Sequence, residues 1–493
     1  MGVLQVFPDI PTMISSETAT KYVEDILPLP VGLGAPRLKS LSRRLAYFLV
    51  PSFLSRNDAQ VREVTRPTDF LDGLRGYAAF VVFIHHFFMP VYLQWQLGYG
   101  GGQPRNNGTD DHYVAQLPFI RLLFSGPPCV YLFFVVSGFS ISLKPISLVR
   151  AGASPQFLDT MVSAIFRRTA RLYVPCLAML FISLVLTCGG AYDYVYARRA
   201  DWPIAGARLV VPQSFNTMMG TIMDWIFKVF YWVDPLPRKT GPNFIPYSSQ
   251  LWTIPVELRC SLVCFVAIIG LARVRPMVRI GCLTGIAVYW HLRTNLDAPL
   301  FLAGTILAEL FLIRQEYAPK HAPQQESGKE RLCNTAGFVI SLFFLGFPRK
   351  RGDTAMFWGT LYRVATFLVG DSIDAPSNFF LTLGSVGVVY SVSRSPSLQH
   401  MFTSPLGRYL GKISFALYLV HMSMLVWFGY RTIPFWWSVI GTEVLWKYAA
   451  ALGIAFLVQT VVTVWVADLF WRAVDAPSVT FARWIEGKCK IES

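Results

Sequence analysis

Long uncharged stretches recur along the whole of this sequence, and they restrict its fold more than any other feature. A run of about 18 or more apolar residues is long enough to cross the hydrocarbon core of a bilayer as a helix. Of the 493 residues, 53% are hydrophobic and 15% are charged. Soluble globular proteins average about 25% charged residues, so this chain is too apolar for that class. The sequence therefore predicts an all-α, polytopic membrane protein.

The apolar stretches predict a bundle of about ten transmembrane helices. The fifth and sixth spans are short and adjacent, which predicts a tight hairpin. A further apolar stretch at 221–233 has only 13 residues, so we expect an interfacial or re-entrant segment there. The predicted spans are 72–95, 128–149, 172–191, 251–271, 278–292, 296–313, 332–348, 377–393, 408–430 and 446–469.

The basic residues indicate how the chain is oriented. The formal net charge is +15, but Lys and Arg lie in short clusters beside apolar segments, as orientation determinants do, so we expect no nucleic-acid partner. Residues 37–66 hold seven basic and two acidic residues, which places the N-terminus in the cytosol, and ten spans bring the C-terminus there too. We expect an endomembrane such as the endoplasmic reticulum. The predicted parts are a cytosolic segment at 1–70 with a candidate interfacial helix at 40–54, a transmembrane domain at 71–480 and a cytosolic tail at 481–493.

Cysteine spacing and one tripeptide complete the general description. The eight cysteines form no CxxC pair and no metal-ligand spacing with histidine, so we expect neither a disulfide framework nor a metal site. Asn107-Gly108-Thr109 is the one N-x-S/T acceptor of the sequence, and it falls in the first non-cytosolic loop. It predicts glycosylation of Asn107.

The first span, DGLRGYAAFVVFIHHF at 72–87, carries ionisable residues inside an apolar helix. Arg75 and His86 are 11 residues apart. At about 100° and 1.5 Å per residue they share one helix face and lie about 16 Å apart along the axis, whereas His85 is rotated about 100° away. Gly73 and Gly76 keep the cytosolic turns slim, which lets another helix or a ligand approach closely.

The two histidines have a functional and a structural interpretation. An imidazole in hydrocarbon stays neutral because desolvation disfavours the charged form, and a neutral imidazole can accept a proton. Alternatively, both rings are packing residues that bond to neighbouring helices. Ionisable groups inside a membrane usually serve function, so we favour the functional interpretation for His86 and leave both open for His85.

A second cationic element is RRTARLYVP at 167–175. Arg168 and Arg171 are three residues apart, so they face the same way on a helix. Such a pair can bind phosphate groups bidentately. It can equally anchor the span on the cytosolic side, and the spacing alone favours the anchor.

Polar residues inside other spans predict a cavity within the bundle. In LWTIPVELRCSLVCF at 251–265, Glu257 and Arg259 cannot face each other on a helix, so each needs a partner elsewhere. They either pair across helices or line a polar cavity, and both interpretations stay open. We expect the cavity to be lined by His85, Ser137, Trp252, Tyr418 and His421, of which the last two are three residues apart on one face.

Five segments in order from about residue 70 to 480 resemble the acyltransferase-3 family of membrane-bound O-acyltransferases, most closely its fungal branch. They are DGLRGYAAFVVFIHHF, FFVVSGF, RRTARLYVP, LWTIPVELRCSL and SFALYLVH. The resemblance implies about ten core helices and transfer of an acyl group, typically acetyl, from a cytosolic acyl-CoA to a hydroxyl. It also implies that His86 is catalytic and that Arg75, Arg168 and Arg171 bind the donor. The closing E-x-P of the family reads Asp475-Ala476-Pro477 here, which is a departure.

The resemblance and the residues together predict a mechanism. The arginines hold the CoA phosphates, and the glycine-bearing face of the first span admits the acyl-pantetheine arm toward His86. Neutral His86 removes the proton of the acceptor hydroxyl as a general base, or it forms an acyl-imidazole in the covalent alternative. Glu257 orients the imidazole or a substrate. We expect acyl-CoA as co-substrate and no permanently bound cofactor.

The acceptor is the least determined part of the prediction. The lipophilic, aromatic-rich bundle favours a small hydroxyl-bearing metabolite such as a terpenoid or a polyketide, within secondary-metabolite biosynthesis. A sugar of the cell envelope or of a glycolipid is the alternative within the same chemistry. A transporter is the rival from another class, and the absence of duplicated halves in the sequence argues against it.

Overall fold

The computed structural model describes nine ranges of the chain, in which the backbone is mainly helical. No β-strand occurs in these ranges, where Leu97 and Lys350 form an isolated bridge. The predicted glycosylation acceptor Asn107 and residues 40–46 of the candidate interfacial helix lie outside the described residues. The nine ranges are 47–54, 66–92, 97–101, 112–198, 210–236, 244–293, 297–317, 326–372 and 374–490.

Each predicted span corresponds to a helix. The described ranges contain sixteen α-helices: α1 (Asp69–Phe88), α2 (Gly126–Arg150), α3 (Ser154–Cys188), α4 (Asp193–Arg198), α5 (Met218–Trp232), α6 (Thr253–Gly270), α7 (Pro276–Leu292), α8 (Asp297–Tyr317), α9 (Gly328–Leu345), α10 (Gly359–Val369), α11 (Ala375–Arg394), α12 (Pro396–Phe402), α13 (Pro405–Met424), α14 (Tyr430–Ile440), α15 (Leu445–Phe470) and α16 (Ala476–Cys489). A 3₁₀ turn at Ser249–Trp252 leads into α6. π-Helical turns at Leu425–Gly429 and Trp471–Asp475 join α13 to α14 and α15 to α16.

Within the described residues, five helical segments are long and apolar enough to cross a membrane. Of the other predicted spans, α7 has only 17 residues, and α1 carries Asp69, Asp72 and Arg75 in its first two turns. The predicted all-α fold is confirmed, whereas the number of ten spans stays a prediction. The five segments are Gly126–Arg150, Ser154–Cys188, Ser249–Gly270, Pro405–Ile440 and Leu445–Cys489.

Prolines account for two differences from the predicted boundaries. The first span was expected to run to residue 95, but α1 ends at Phe88, shortly before Pro90. A proline lacks the backbone N–H of a helix and disfavours the helical conformation of the residue before it. The third span was expected at 172–191, but α3 begins at Ser154, where Pro155 occupies a first-turn position that suits proline.

The short apolar stretch at 221–233 forms the amphipathic helix α5. With 15 residues it is about 22 Å long, which is shorter than the hydrocarbon core of about 30 Å. Phe227 and Phe230 are 71% and 84% exposed on one face, whereas Thr221 and Trp232 are buried on the other. These features agree with the predicted interfacial or re-entrant segment.

Glycines bring the backbones of α1 and α13 into direct contact. A Cβ atom added to Gly411 of α13 would lie 2.6 Å from the carbonyl oxygen of Asp72 in α1. Main-chain atoms of Phe402 fill the space beside Gly73 in the same way. Main-chain and Cβ atoms of Leu410 fill the space beside Gly76. The slim face of the first span therefore accommodates a helix. The predicted passage of the acyl-pantetheine arm along this face is wrong, because neighbouring main chain occupies it.

Two other helix pairs approach equally closely. A Cβ atom on Gly304 of α8 would lie 2.6 Å from the backbone nitrogen of Phe139 in α2. One on Gly384 of α11 would lie 2.8 Å from the carbonyl oxygen of Ser341 in α9. Small residues at such crossings are characteristic of helix association in membranes, where close packing replaces the hydrophobic effect as the driving force.

A buried ion-pair network ties α2, α7 and α8 together. Glu309 of α8 is fully buried and lies 2.6 Å from Arg150 of α2 and 2.9 Å from Arg279 of α7. Arg279 also donates to the carbonyl oxygen of Val274 at 2.9 Å. The expected hairpin of the fifth and sixth spans thus exists as α7 and α8, and it is fastened to α2 by charge pairing.

The segment before α1 is held against α15. Ser52 donates through its backbone N–H at 3.0 Å and through its hydroxyl at 2.5 Å to the carboxylate of Asp468, which is fully buried. Arg472 pairs with the same carboxylate at 2.8 Å. The described part of the helix expected at 40–54 is interrupted at Pro51 and ends in a 3₁₀ turn, since proline cannot donate in a continuing helix.

Candidate active site

His86 lies near the C-terminal end of α1 and faces α13. Its Nδ1 atom is 2.9 Å from the carbonyl oxygen of Val82, one turn earlier, and 3.3 Å from Nε2 of His421 in α13. The hydroxyl of Tyr430 donates to the carbonyl oxygen of His86 at 2.9 Å. The His86 side chain is partly exposed, whereas His421 is fully buried. His86 is therefore fixed on one side and accessible on another.

His85 points toward the start of α2. Its Nδ1 atom lies 2.8 Å from the carbonyl oxygen of Phe124. A Cβ atom added to Gly126 would lie 2.6 Å from Cδ2 of His85, so the ring rests directly on the first residue of α2. The rings of His85 and His86 are 5.2 Å apart. These contacts favour the structural interpretation of His85, which bonds to a neighbouring element as a packing residue.

Tyr418 and His421 share one face of α13, as their spacing predicted, with ring centroids 5.9 Å apart. The Tyr418 hydroxyl lies 2.6 Å from that of Thr253 and donates to the carbonyl oxygen of Gln250. Trp252, also expected to line the cavity, packs against Phe244 at 6.3 Å and against the core around α2. We call His85, His86, Tyr418 and His421 the histidine cluster.

The predicted donor-binding residues form a second group at the opposite end of α1. Arg75 donates to the Ser414 hydroxyl at 3.3 Å and lies 3.3 Å from Asp72. Arg171 interacts electrostatically with Arg168, Arg75 and Asp475. The three arginines that the resemblance assigned to the donor therefore lie near one another. With Glu257, Ser137 and Asp475 they form what we call the arginine cluster.

Glu257 belongs to the arginine cluster. Its Oε1 atom accepts from Arg168 at 2.7 Å and from the Ser137 hydroxyl at 3.0 Å. Arg168 also donates through Nε to the Ser261 hydroxyl at 3.1 Å. Arg259 pairs instead with Asp297 at 3.3 Å. Both charged residues thus have partners on other helices, which favours pairing across helices over cavity lining.

The single polar cavity expected from the sequence divides into these two clusters. Ser137 bonds to Glu257 in the arginine cluster, and the contact that fixes His86 comes from His421. Sequence reasoning placed His421 in a cavity but did not pair it with His86, and it missed Ser414. One signal was present: Ser414 and His421 are seven residues apart, so they lie on one face of α13.

The arrangement offers an anion-binding group and a separate base. Guanidinium groups with fixed orientation bind phosphate oxygens in pairs of hydrogen bonds. A neutral histidine in an apolar setting can take a proton from a hydroxyl. Within the described residues, no group of three or more His, Cys, Asp or Glu side chains lies close enough to hold a metal ion. These residue types are capable of anion binding and of proton transfer.

Comparison with known proteins gives a consistent result. A family model described as an acyltransferase domain matches residues 68–471. O-acetyltransferase PaAT-1 of Phomopsis amygdali is 30% identical, over 91% of this chain and 92% of that protein. Acyltransferase R4 of Phoma sp. is 27% identical and acyltransferase clz18 of Cochliobolus lunatus 25%, each over 83% of this chain and 94% of its own. No solved structure gives a significant match.

Proposed function

This chain belongs to the acyltransferase-3 family, and we propose that it is an acyl-CoA-dependent O-acetyltransferase of the membrane. The acceptor is the hydroxyl of a small lipophilic metabolite such as a terpenoid or a polyketide, and the reaction belongs to secondary-metabolite biosynthesis. The relative named as an O-acetyltransferase supports the choice of acetyl. The lipophilic bundle supports a lipophilic acceptor.

One observation carries the proposal: α1 and α13 contact each other in both clusters. Arg75 in the second turn of α1 donates to Ser414 at the middle of α13, and near the ends of the two helices His86 contacts His421. The rise per residue separates Arg75 from His86 by about 16 Å. The guanidinium of Arg75 and the imidazole of His86 are therefore aligned along α1 at two different depths in the bundle. A long donor with phosphates at one end and a thioester at the other matches this separation, and its arm must run beside the contact of α1 with α13 and not between the two helices.

The reaction that we propose at His86 is direct acyl transfer. The hydroxyl proton of the acceptor moves to the ring nitrogen of His86 while the oxygen attacks the carbonyl carbon of the thioester. The bond from carbon to sulfur then breaks, and the CoA thiolate leaves and receives the proton from the imidazolium. In the covalent alternative the ring nitrogen attacks the thioester carbon and the CoA thiolate leaves; the acceptor oxygen then takes the acyl group from the nitrogen, and the hydroxyl proton goes to the thiolate.

We assign donor binding to Arg75, Arg168 and Arg171. The Arg75 side chain is 28% exposed and its carboxylate partner Asp72 is 48% exposed, so a phosphate can compete for the guanidinium. Arg168 is held by Glu257, which supports a role for this carboxylate in orienting a cation. We accordingly propose that Glu257 positions Arg168, and not the imidazole or the substrate that the sequence suggested.

We propose ten spans with both termini in the cytosol of an endomembrane, and the helix directions support the alternation that ten spans require. In such a topology, spans one and nine run in the same direction, as α1 and α13 do. Spans seven and eight run in opposite directions, and α9 and α11 do so: Gly337 meets Ser391, and Gly384 meets Leu345. Glycosylation of Asn107 on the far side remains a prediction, and an endoglycosidase shift of the expressed protein tests it.

The experiment that tests the function uses membranes containing the expressed protein, acetyl-CoA labelled in the acetyl group, and a panel of terpenoid, polyketide and sugar alcohols. We expect CoA release together with label in a lipophilic product. Label in a sugar product would favour the envelope alternative. Movement of an alcohol across sealed vesicles without CoA release would favour a transporter and contradict the proposal. Metabolites of a deletion strain that lack one acetyl unit would identify the natural acceptor.

A further inference from the structure

We propose that His421 is a positioning residue that holds His86 in the tautomer required of a base, so that the two histidines form a functional pair. This inference rests on the proposed role of His86. It assigns to His421 a function in proton transfer, in place of the lining role that its sequence position suggested. His421 is fully buried, so it acts through His86 and not on the substrate.

The protonated nitrogen of His421 follows from its neighbours. Its Nδ1 atom lies 2.8 Å from the carbonyl oxygen of Tyr418 and 3.2 Å from that of Leu417. Carbonyl oxygens only accept hydrogen bonds, so Nδ1 must be the nitrogen that carries the hydrogen. In a neutral imidazole the other nitrogen then has a free electron pair. The Nε2 atom of His421 is therefore an acceptor.

The same reasoning applies to His86. Its Nδ1 atom faces two acceptors, the carbonyl oxygen of Val82 at 2.9 Å and Nε2 of His421 at 3.3 Å. The hydrogen of His86 must consequently lie on Nδ1, where it is shared between the two. The electron pair of His86 lies on Nε2, the nitrogen that points away from both acceptors. This nitrogen is the one that can receive the proton of a hydroxyl.

His421 is itself fixed from outside α13. The amide of Gln250 donates to the carbonyl oxygen of Leu419 at 2.8 Å and to that of Tyr418 at 3.2 Å. The Tyr418 hydroxyl bonds back to Gln250 and Thr253 at the start of α6. The turn of α13 that carries His421 is thus clamped by a neighbouring element. A clamped acceptor can fix the ring plane of His86, which the contact within α1 does not do alone.

A neutral acceptor suits this location. In soluble hydrolases a buried carboxylate accepts from the histidine base and fixes its tautomer. A carboxylate inside a membrane bundle carries a large desolvation cost, whereas a neutral imidazole offers an acceptor without a net charge. When His86 becomes an imidazolium during the reaction, its Nδ1–H is a stronger donor, and the bond to His421 strengthens at that moment.

Two substitutions at one position test the pairing. His421→Phe keeps a flat ring but removes the acceptor, and we expect kcat to fall by about 100-fold or more with an unchanged KM for acetyl-CoA. His421→Gln places an amide oxygen near the position of Nε2, and we expect it to recover kcat to within about 10-fold of the unaltered protein. Each kcat is calculated per molecule of folded protein in the membrane.

The outcomes separate this inference from the proposed function. If His86→Ala is inactive and His421→Phe retains its kcat, the pairing is overturned and the base assignment stands. If His421→Phe and His421→Gln lower kcat equally, His421 has only a packing role, and the pairing is again overturned. If His86→Ala retains its turnover, the proposed function of His86 fails first. Should the variants fail to fold, nitrogen NMR of labelled histidines in the unaltered protein decides: hydrogen on Nε2 of His86 would contradict the inference.

Discussion

Arg168 and Glu257 form an ion pair of 2.7 Å that joins α3 to α6. The Ser137 hydroxyl donates to the same carboxylate oxygen at 3.0 Å, so α2 belongs to the network as well. Three helices thus orient one guanidinium within the arginine cluster. This contact separates two roles for Glu257: a carboxylate that orients a cation affects donor binding, and one that orients the imidazole affects proton transfer.

Replacement of Glu257 by glutamine distinguishes these roles. We expect Glu257→Gln to raise the KM for acetyl-CoA by about 5-fold to 10-fold while kcat changes little, because a hydrogen bond to a charged group contributes about 1.5–3 kcal/mol and the amide oxygen of glutamine retains part of it. Steady-state kinetics at varied acetyl-CoA provides the measurement. The control is Glu316→Gln, because the Glu316 side chain is 54% exposed and pairs with Arg150. A large loss of kcat at constant KM would show that Glu257 orients the imidazole and not Arg168.

The arginine cluster makes a related prediction for donor affinity. We expect Arg75→Ala and Arg171→Ala each to raise the KM for acetyl-CoA by about 10-fold, since each removes a charged donor to phosphate. The effect should weaken for acetyl-pantetheine, which lacks the nucleotide phosphates. Arg363→Ala, at an exposed position of α10, is the matched control. An unchanged KM in the first two variants would show that these arginines only anchor the helices.

The buried carboxylate Glu309 makes a prediction about stability. Its removal leaves Arg150 and Arg279 without their shared partner, and an uncompensated buried charge costs about 3–5 kcal/mol. We therefore expect Glu309→Ala to lower the melting temperature of the detergent-solubilised protein sharply. Glu316→Ala, which breaks an exposed pair with the same Arg150, should cost about 1 kcal/mol or less. Equal melting temperatures for the two variants would contradict the importance of the buried network.

The crossing of α1 and α13 is equally testable. A methyl group at Gly411 would lie 2.6 Å from the Asp72 carbonyl oxygen, so Gly411→Ala must push the two helices apart. We expect lower thermal stability together with lower activity, because the same helix pair carries Arg75 and His86. Gly453→Ala in α15 meets no atom within 4 Å, and alanine should be neutral or stabilising there by up to about 1 kcal/mol. An undisturbed Gly411→Ala protein would show that the crossing tolerates separation.

The composition and the periodicity of the chain sufficed to predict much of the fold. Apolar runs located the helices because a span needs a minimum length of apolar sequence. The boundary near Pro90 was less accurate, since a proline interrupts the hydrogen-bond ladder without lowering the hydropathy, and the start of α3 at Ser154 was missed because hydropathy locates only the apolar part of a helix. The 11-residue spacing correctly placed Arg75 and His86 on one face, which α13 covers. That agreement depends only on the geometry of a single helix.

The partners of the site residues required the structure. Which helix lies beside α1 is decided by packing between distant segments. The spacing within α1 therefore could not show whether a helix or a ligand lies against Gly76. For the same reason the sequence left open whether Glu257 orients the imidazole or a substrate, whereas in the structure it pairs with Arg168. The contact between His86 and His421 joins residues 335 positions apart. Periodicity within one helix carries no information on such a contact.

His86 itself provides the most direct measurement. Turnover of labelled acetyl-CoA should be compared between the unaltered protein, His86→Ala and His400→Ala, the last at an exposed position of α12, with equal amounts of each protein in the membrane. We expect His86→Ala to lose acyl transfer by about 1000-fold or more, as removal of a catalytic base does, while His400→Ala keeps it. Near-normal transfer by His86→Ala would contradict the assignment of His86 as the catalytic group.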